Sequence, residues 1–139
     1  MTRYMLDTNT CIYIIKRKPP EVFEHFRNIG ISRVGVSSIT LSELEYGAAK
    51  SAKPEQNQLA LVQFVAPLEI MPYDDGAAHC YGELRAYLER KGRGIGALDM
   101  LISVHAVSAG CVLVTNNVRE FIRVPNLTIE NWVDMPGTS

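Results

Sequence analysis

The chain reads as an α/β protein in which a central, mostly parallel sheet of four or five strands is covered by helices. Three observations predict this. Short apolar runs of strand character alternate with helical runs from one end to the other, the pattern of strand–helix–strand units. The central runs, Tyr4-Met5-Leu6 and Cys111–Thr115, are almost continuously apolar, as strands buried on both faces must be. Each is followed at once by polar turn formers, Asp7-Thr8-Asn9 and Asn116-Asn117, where such a sheet opens into the loops that carry its sites. The 139 residues suit one domain, 1–139, with a single well-filled core.

The elements follow in order. Tyr4-Met5-Leu6 is a short strand, and Asp7-Thr8-Asn9 ends it with side chains that favour turns and helix N-caps. A helix through Cys11–Lys16 is stopped by Pro19-Pro20, and a second helical run covers about Glu21–Asn28. Val34-Gly35-Val36 is the next strand. Leu41–Lys50 has Leu41, Leu44, Glu45 and Ala48 at helical spacing, and Pro54 opens a helix to about Val65. Leu68–Met71 is a strand, and Asp74 or Asp75 caps a long helix to Arg90. A glycine-rich loop, Gly92-Arg93-Gly94-Ile95-Gly96, leads into a helix of about Leu98–Ala109. Cys111–Thr115 is the clearest strand. A short helix near Val118–Phe121 and a strand at Leu127–Ile129 complete the chain.

Composition bounds the function. The 47% hydrophobic and 21% charged residues are those of a soluble globular chain. No apolar run nears the ~20 residues of a membrane span. The acid at Asp7 follows too short an apolar stretch for a signal peptide, so a cytoplasmic protein is expected. Cys11, Cys80 and Cys111 form no CxxC pair, and reduced thiols are expected. His25, His79 and His105 are scattered and receive no role. With a net charge of −1, the whole-molecule field does not mark a nucleic-acid binder. Basic residues do gather at Lys16-Arg17-Lys18, at Arg90-Lys91-Arg93, and at Arg119 with Arg123. Each group can serve as a phosphate contact or as a solvated helix end.

Three acids stand where chemistry is expected. Asp7 lies at the lip of the first strand, although a turn former or helix cap would look the same. Glu43 follows Thr40 by three residues, which fits a capping box in which Glu43 reaches back to the Thr40 amide. Asp99 interrupts a helix that is otherwise apolar nearly all round, and a first-turn acid there is stabilised by the helix dipole by ~0.3–1 kcal/mol. Brought within ~5 Å, each pair would repel by ~3 kcal/mol at an effective dielectric of ~20. Such a cluster calls for raised pKa values or for a hard divalent cation with oxygen ligands. The acids are 36 and 56 residues apart (43 − 7 and 99 − 43), so only the fold can gather them.

At this constellation a family resemblance appears. Met5-Leu6-Asp7-Thr8-Asn9 resembles the opening of a PIN domain. Ser38-x-x-x-x-Glu43-Leu44-x-x-Gly47 resembles its second acidic motif, Ala97-x-Asp99-x-x-Ile102 its third, and Val114-Thr115-Asn116-Asn117-x-x-Glu120-Phe121 its closing motif. The ordered set spans nearly the whole chain. Within the family, the start is most similar to enteric-type VapC toxins of bacterial VapBC toxin–antitoxin pairs. The resemblance implies an α/β/α sandwich and an endoribonuclease using Mg²⁺ or Mn²⁺. It also implies structured RNA as substrate, typically initiator tRNA cut in the anticodon stem-loop, so that translation is inhibited. The expected partners are a second copy of the chain and a VapB antitoxin, with operator DNA bound only through the antitoxin. Asp7, Glu43 and Asp99 then map onto the metal-binding acids, with Asn9 and Thr115 lining the groove. The family often has a fourth acid in the closing motif. Here Asn116 and Asn117 occupy that segment, and Glu120 is the nearby carboxylate. Arg90, Lys91 and Arg93, just before Asp99, are candidate RNA-binding residues. The early helices carry Ile12, Ile15, Val22 and Phe26, which can serve either a dimer surface or the core.

Two rivals belong to other classes. An aspartate-nucleophile phosphatase wants Asp-x-Asp after the first strand, and this chain has Asn9 at the second position. A non-catalytic PIN-like module would bind RNA or a partner without cutting, a reading the three acids oppose.

Overall fold

The structure, a computed structural model, describes residues 2–133. At its centre β1 (Tyr4–Leu6) pairs in parallel with β2 (Val34–Ser37) on one side and β4 (Val112–Val114) on the other. β3 (Glu69–Met71) extends the sheet beyond β2, and β5 (Ile129–Glu130) extends it beyond β4. The order is β3-β2-β1-β4-β5, and all five strands are parallel. The chain therefore builds outward from β1 in one direction, then returns to β1's other edge. The gap between β1 and β4 is the topological switch point, where open parallel sheets form their sites.

Seven α-helices connect the described strands: α1 (Thr8–Lys16), α2 (Pro20–Ile29), α3 (Ser38–Ala49), α4 (Pro54–Val65), α5 (Asp75–Arg90), α6 (Ala97–Ala109) and α7 (Val118–Phe121), with a 3₁₀ turn at Ile31–Arg33. They cover both faces, because even continuously apolar strands alternate their side chains. Tyr4, Leu6, Val36 and Val114 pack with Ile14, Val22, Leu44, Leu61 and Trp132. Met5, Met71 and Leu113 point the other way, onto Ile102, Ala106 and Phe121. A third cluster of Leu84, Leu88, Met100 and Val104 fastens α5 onto α6. The result is the expected α/β/α sandwich.

Local chemistry sets the boundaries. The Asp7 carboxylate accepts the Thr10 amide at 2.9 Å and caps α1. Arg17, at φ 56°, closes that helix by returning its amide to the Ile14 carbonyl. Pro20 then opens α2 at a position whose amide needs no partner. Gly35 is required by close approach: a Cβ there would lie 2.8 Å from the Glu69 carbonyl oxygen of the neighbouring strand.

Several expectations are corrected. α3 begins at Ser38 rather than Leu41, because the Ser37 hydroxyl accepts the Ile39 amide at 3.0 Å. Thr40 thus lies inside the helix, so the capping box with Glu43 does not form. Its buried hydroxyl has no hydrogen-bond partner. The last strand is Ile129–Glu130 rather than Leu127–Ile129, since Leu127 is spent packing onto the core. Of the four early apolar residues, Val22 is fully buried and Ile12 and Phe26 pack against the same core, while Ile15 lines a surface cleft. They are mainly interior residues.

Candidate active site at the carboxyl ends of the central strands

β1 and β4 end side by side, and their ends are tied together. The Asp7 amide donates to the Val114 carbonyl at 3.0 Å, and the Thr10 hydroxyl donates to the same oxygen at 3.2 Å. Asp7 follows β1 directly and is 7% exposed. Burial raises its pKa, against hydrogen bonds from Thr115 and Thr10 that favour the ionised form. Thr115, fully buried at the end of β4, also accepts the Asn117 amide at 2.9 Å. The two strand ends therefore present one carboxylate held by the Thr10 amide and by the Thr10 and Thr115 hydroxyls.

Glu43 reaches this place from α3. Its Oε1 accepts the Thr8 hydroxyl at 2.7 Å, so the second motif touches the first directly. Asp99 arrives from the first turn of α6. Its carboxyl pKa is pushed up to about 7, chiefly by burial, then by a hydrogen bond with Glu120 and by the charges of Glu120, Asp7 and Glu43. The other three carboxylates thus all act on Asp99. Glu120, on α7, is displaced the other way: the Gly96 amide first, then Asn117 and Asp99, stabilise its ionised form. The bonds are short, Gly96 N to Glu120 Oε1 at 2.7 Å and Asn117 Nδ2 to Oε2 at 2.9 Å. Opposite shifts on two hydrogen-bonded acids describe one proton held on Asp99 and donated to Glu120.

The other expected residues fare unequally. Asn9 lies on the first turn of α1 and is exposed. Asn117 holds Glu120, as above, and Asn116 instead accepts from Asn131 at 3.2 Å. Arg90, Lys91 and Arg93 are exposed at the end of α5 and in the loop after it. The Lys91 ammonium lies 5.7 Å over the Tyr87 ring. What is fastened to the acids is the far end of that loop: Gly96 bonds Glu120, and Arg123 Nη1 donates to the Gly94 carbonyl at 3.1 Å.

Sequence reasoning missed three contributors. Thr8 holds Glu43. Ser37 caps the helix that carries Glu43, and its hydroxyl lies 2.9 Å from His105 Nδ1 in the middle of α6. His105 is buried, its pKa is lowered by that burial, and a hydrogen bond to the Pro72 backbone holds its other side. A hydroxyl directly after the first acid was the available signal for Thr8. For His105 there was none, because the bond spans 68 residues.

The donor set is oxygen-only, as a hard divalent cation prefers. Cys11, beside Asp7, is fully buried and its thiol is pushed well up, so it supplies no thiolate. Among the described residues, no three His, Cys, Asp or Glu groups are already drawn together tightly enough to hold an ion. The fit lies in the charge: four interacting carboxylates of which one retains a proton near neutrality, an arrangement a cation would relieve.

Comparison with known proteins places the chain in a family. A family model described as the PIN domain matches residues 4–127. A Salmonella typhimurium protein named tRNA(fMet)-specific endonuclease VapC is 51% identical over 132 residues, 95% of this chain and 99% of the relative. A Rickettsia felis protein named Ribonuclease VapC2 is 46% identical over 130 residues, 93% of this chain and 97% of the relative. Among solved structures, DNA-bound VapBC from Salmonella typhimurium matches with a TM-score of 0.89 at 51% identity, covering 95% of this chain and 99% of the other. No helix among the described residues is long and apolar enough to cross a membrane.

Proposed function

Because this chain belongs to the PIN-domain family, and within it to the VapC ribonucleases, we propose that it is the toxin of a VapBC toxin–antitoxin pair. It is an endoribonuclease that cuts initiator tRNA in the anticodon stem-loop and so inhibits translation. A VapB-type antitoxin neutralises it, the active toxin is a homodimer, and operator DNA is reached through the antitoxin. The substrate reading is supported by the relative named for tRNA(fMet), and the partner reading by the DNA-bound VapBC complex.

One observation carries the chemistry: at the switch point Asp99 is partly buried and lies within the fields of Glu120, Asp7 and Glu43, and burial first, then these neighbours, push its carboxyl up to about 7. Asp7, Asp99 and Glu43 would hold Mg²⁺ or Mn²⁺, with Glu120 as the fourth carboxylate. When bound, such an ion supplies the positive charge that allows these acids to ionise together and offsets charge developing on the phosphodiester.

The chain's own groups do the rest. Asp7 is fixed by the Thr10 amide and cannot turn away from the site. Glu43, with Oε1 engaged by Thr8, has Oε2 to orient the attacking water. Hydrolysis places the water's hydroxyl on phosphorus and breaks the bond to the 3′ oxygen, which takes up a proton. The products are a 5′-phosphate and a 3′-hydroxyl. Arg90, Lys91 and Arg93 bind phosphates beside the cut through charge rather than base contacts.

The test is cleavage of initiator tRNA by the purified protein with Mg²⁺, with EDTA, and with Asp7→Asn, mapping the ends produced. A single cut in the anticodon stem-loop that needs both the metal and Asp7 is expected. Undiminished cleavage in EDTA, or by Asp7→Asn, would remove the metal-site reading.

A further inference from the structure

Thr8 occupies an unusual position for its hydroxyl. As the first residue of α1 it has no preceding helical turn, so the common threonine bond to a carbonyl three or four residues back is unavailable. Capping of α1 is already performed by Asp7. A half-buried hydroxyl with neither local role instead reaches across 35 residues and donates to Glu43 Oε1 at 2.7 Å. β-Branching leaves threonine few rotamers, so the donor is stiffly placed.

Glu43 needs such a constraint. Like Glu120 it has three side-chain torsions, one more than the aspartates, but Glu120 is held by the Gly96 amide and Asn117, whereas Glu43 is not held by the capping box its sequence suggests. It also borders a second environment. A cleft of about 260 Å³ between α1, α3 and α4 is lined by Glu43 together with Lys16, Ile12, Ile15, Leu44 and Leu61. Lys16 is among the residues lining that cleft, and its positive charge would draw a carboxylate free to turn that way. The Thr8 hydroxyl decides between the two directions, and it leaves the second oxygen, Oε2, uncommitted by the bond.

We infer that Thr8 is a positioning residue, which keeps the Glu43 carboxylate turned toward Asp7 and Asp99 and away from the Lys16 cleft. The inference rests on the reading of Glu43 as a member of the metal-binding acid cluster. Its effect is exerted through Glu43. Thr8 itself does not touch the substrate.

The full-length chain tests this with Thr8→Val, which keeps shape and removes the donor, and Thr8→Ser, which keeps the donor. Binding of Mn²⁺ without RNA is measured by calorimetry, and kcat and KM are measured on tRNA. Thr8→Val is expected to weaken Mn²⁺ binding about tenfold or more and to lower kcat with little change in KM, while Thr8→Ser stays within a few-fold of the parent. In the Glu43→Gln background, Thr8→Val should add nothing. Parent-like Mn²⁺ binding and kcat in Thr8→Val, with Glu43→Gln impaired, would overturn the role of Thr8 alone. An unimpaired Glu43→Gln would overturn the underlying reading of Glu43 as well. If Thr8→Val does not fold, Thr8→Ala is measured instead, and failure of Thr8→Ser to preserve Mn²⁺ binding would show that the hydroxyl is not what matters.

Discussion

Replacing Asp99 with Asn should stabilise the metal-free protein while abolishing its activity. In the folded chain the Asp99 carboxyl titrates at about 7 against an ordinary 3.8. Its ionised form is therefore disfavoured by folding. The sign follows directly: below the unfolded pKa both states carry the proton and nothing is lost. As pH rises through the window from 3.8 to about 7, the folded state resists giving up the proton, and the penalty grows to a plateau. At 1.36 kcal/mol per pH unit the gap corresponds to at most about 4 kcal/mol. Asp99 is only half-buried, and solvent screening reduces this to about 1–2 kcal/mol. Asn has no charge to bury and can still donate to Glu120. The expected gain is thus about 3–8 °C in melting temperature at pH 8 in EDTA, and much less near pH 4.5. Added Mn²⁺ should raise the melting point of the parent and not of the variant, since an ion that binds only the folded state stabilises it. A variant that melts at or below the parent temperature at pH 8, or gains equally at both pH values, would refute the coupling among these acids.

Further outcomes are expected from the same geometry. Asp7→Asn should keep α1 capped, since Asn caps as well as Asp, and so remain folded while losing at least about a hundredfold in tRNA cleavage; circular dichroism beside a cleavage assay separates the two effects. Arg123→Ala should release Gly94 from the segment that follows α7 and loosen the loop bearing Lys91 and Arg93, raising KM for RNA several-fold with kcat nearly unchanged, as steady-state kinetics will show. Ser37→Ala leaves buried His105 Nδ1 without its partner and should cost about 1–3 kcal/mol in urea denaturation. The lowered pKa of His105 adds a pH signature of its own: stability is lost as pH falls below the unfolded histidine's ordinary value, where the unfolded chain gains a proton that the folded one resists. His105→Asn should flatten that limb of the urea midpoint between about pH 7.5 and pH 5.5. Gly35→Ala should destabilise by about 1–3 kcal/mol, because its methyl would meet the Glu69 carbonyl.

How much of this was legible differs from residue to residue. The buried strands Tyr4–Leu6 and Val112–Val114 announce themselves, since only residues covered on both faces are apolar throughout. The acid after the first and the polar residues after the second follow from parallel-sheet topology. Asp7, Glu43 and Asp99 emerged as a set from the ordered motifs rather than from any one of them. The run Ser37-Ser38-Ile39-Thr40 illustrates the limit. It offers three hydroxyls able to start a helix, and pattern alone favoured Thr40 because Glu43 lies three residues on. The structure selects Ser37, whose hydroxyl is also engaged by His105, a partner that no local rule can supply. Thr8 was hidden for the same reason. Beside Asp7 and Asn9 it looks like one more turn former, and its donation to Glu43 depends on how α1 meets α3. Glu120 was visible as a carboxylate near the closing motif, but its role depends on the Gly96 amide.

The placement of β1 has a further consequence in time. Its two flanking strands lie on opposite sides in sequence, one ending at Ser37 and the other beginning at Val112. While the chain is being synthesised, the early portion can gather Asp7 and Glu43, but the second edge of β1 stays bare until the segment carrying Val112–Val114 is made. Asp99 and Glu120 join only with that late pairing. The four acids proposed to bind the metal thus come together only after both edges of β1 are paired. Interrupted or truncated copies lacking that segment have no complete centre.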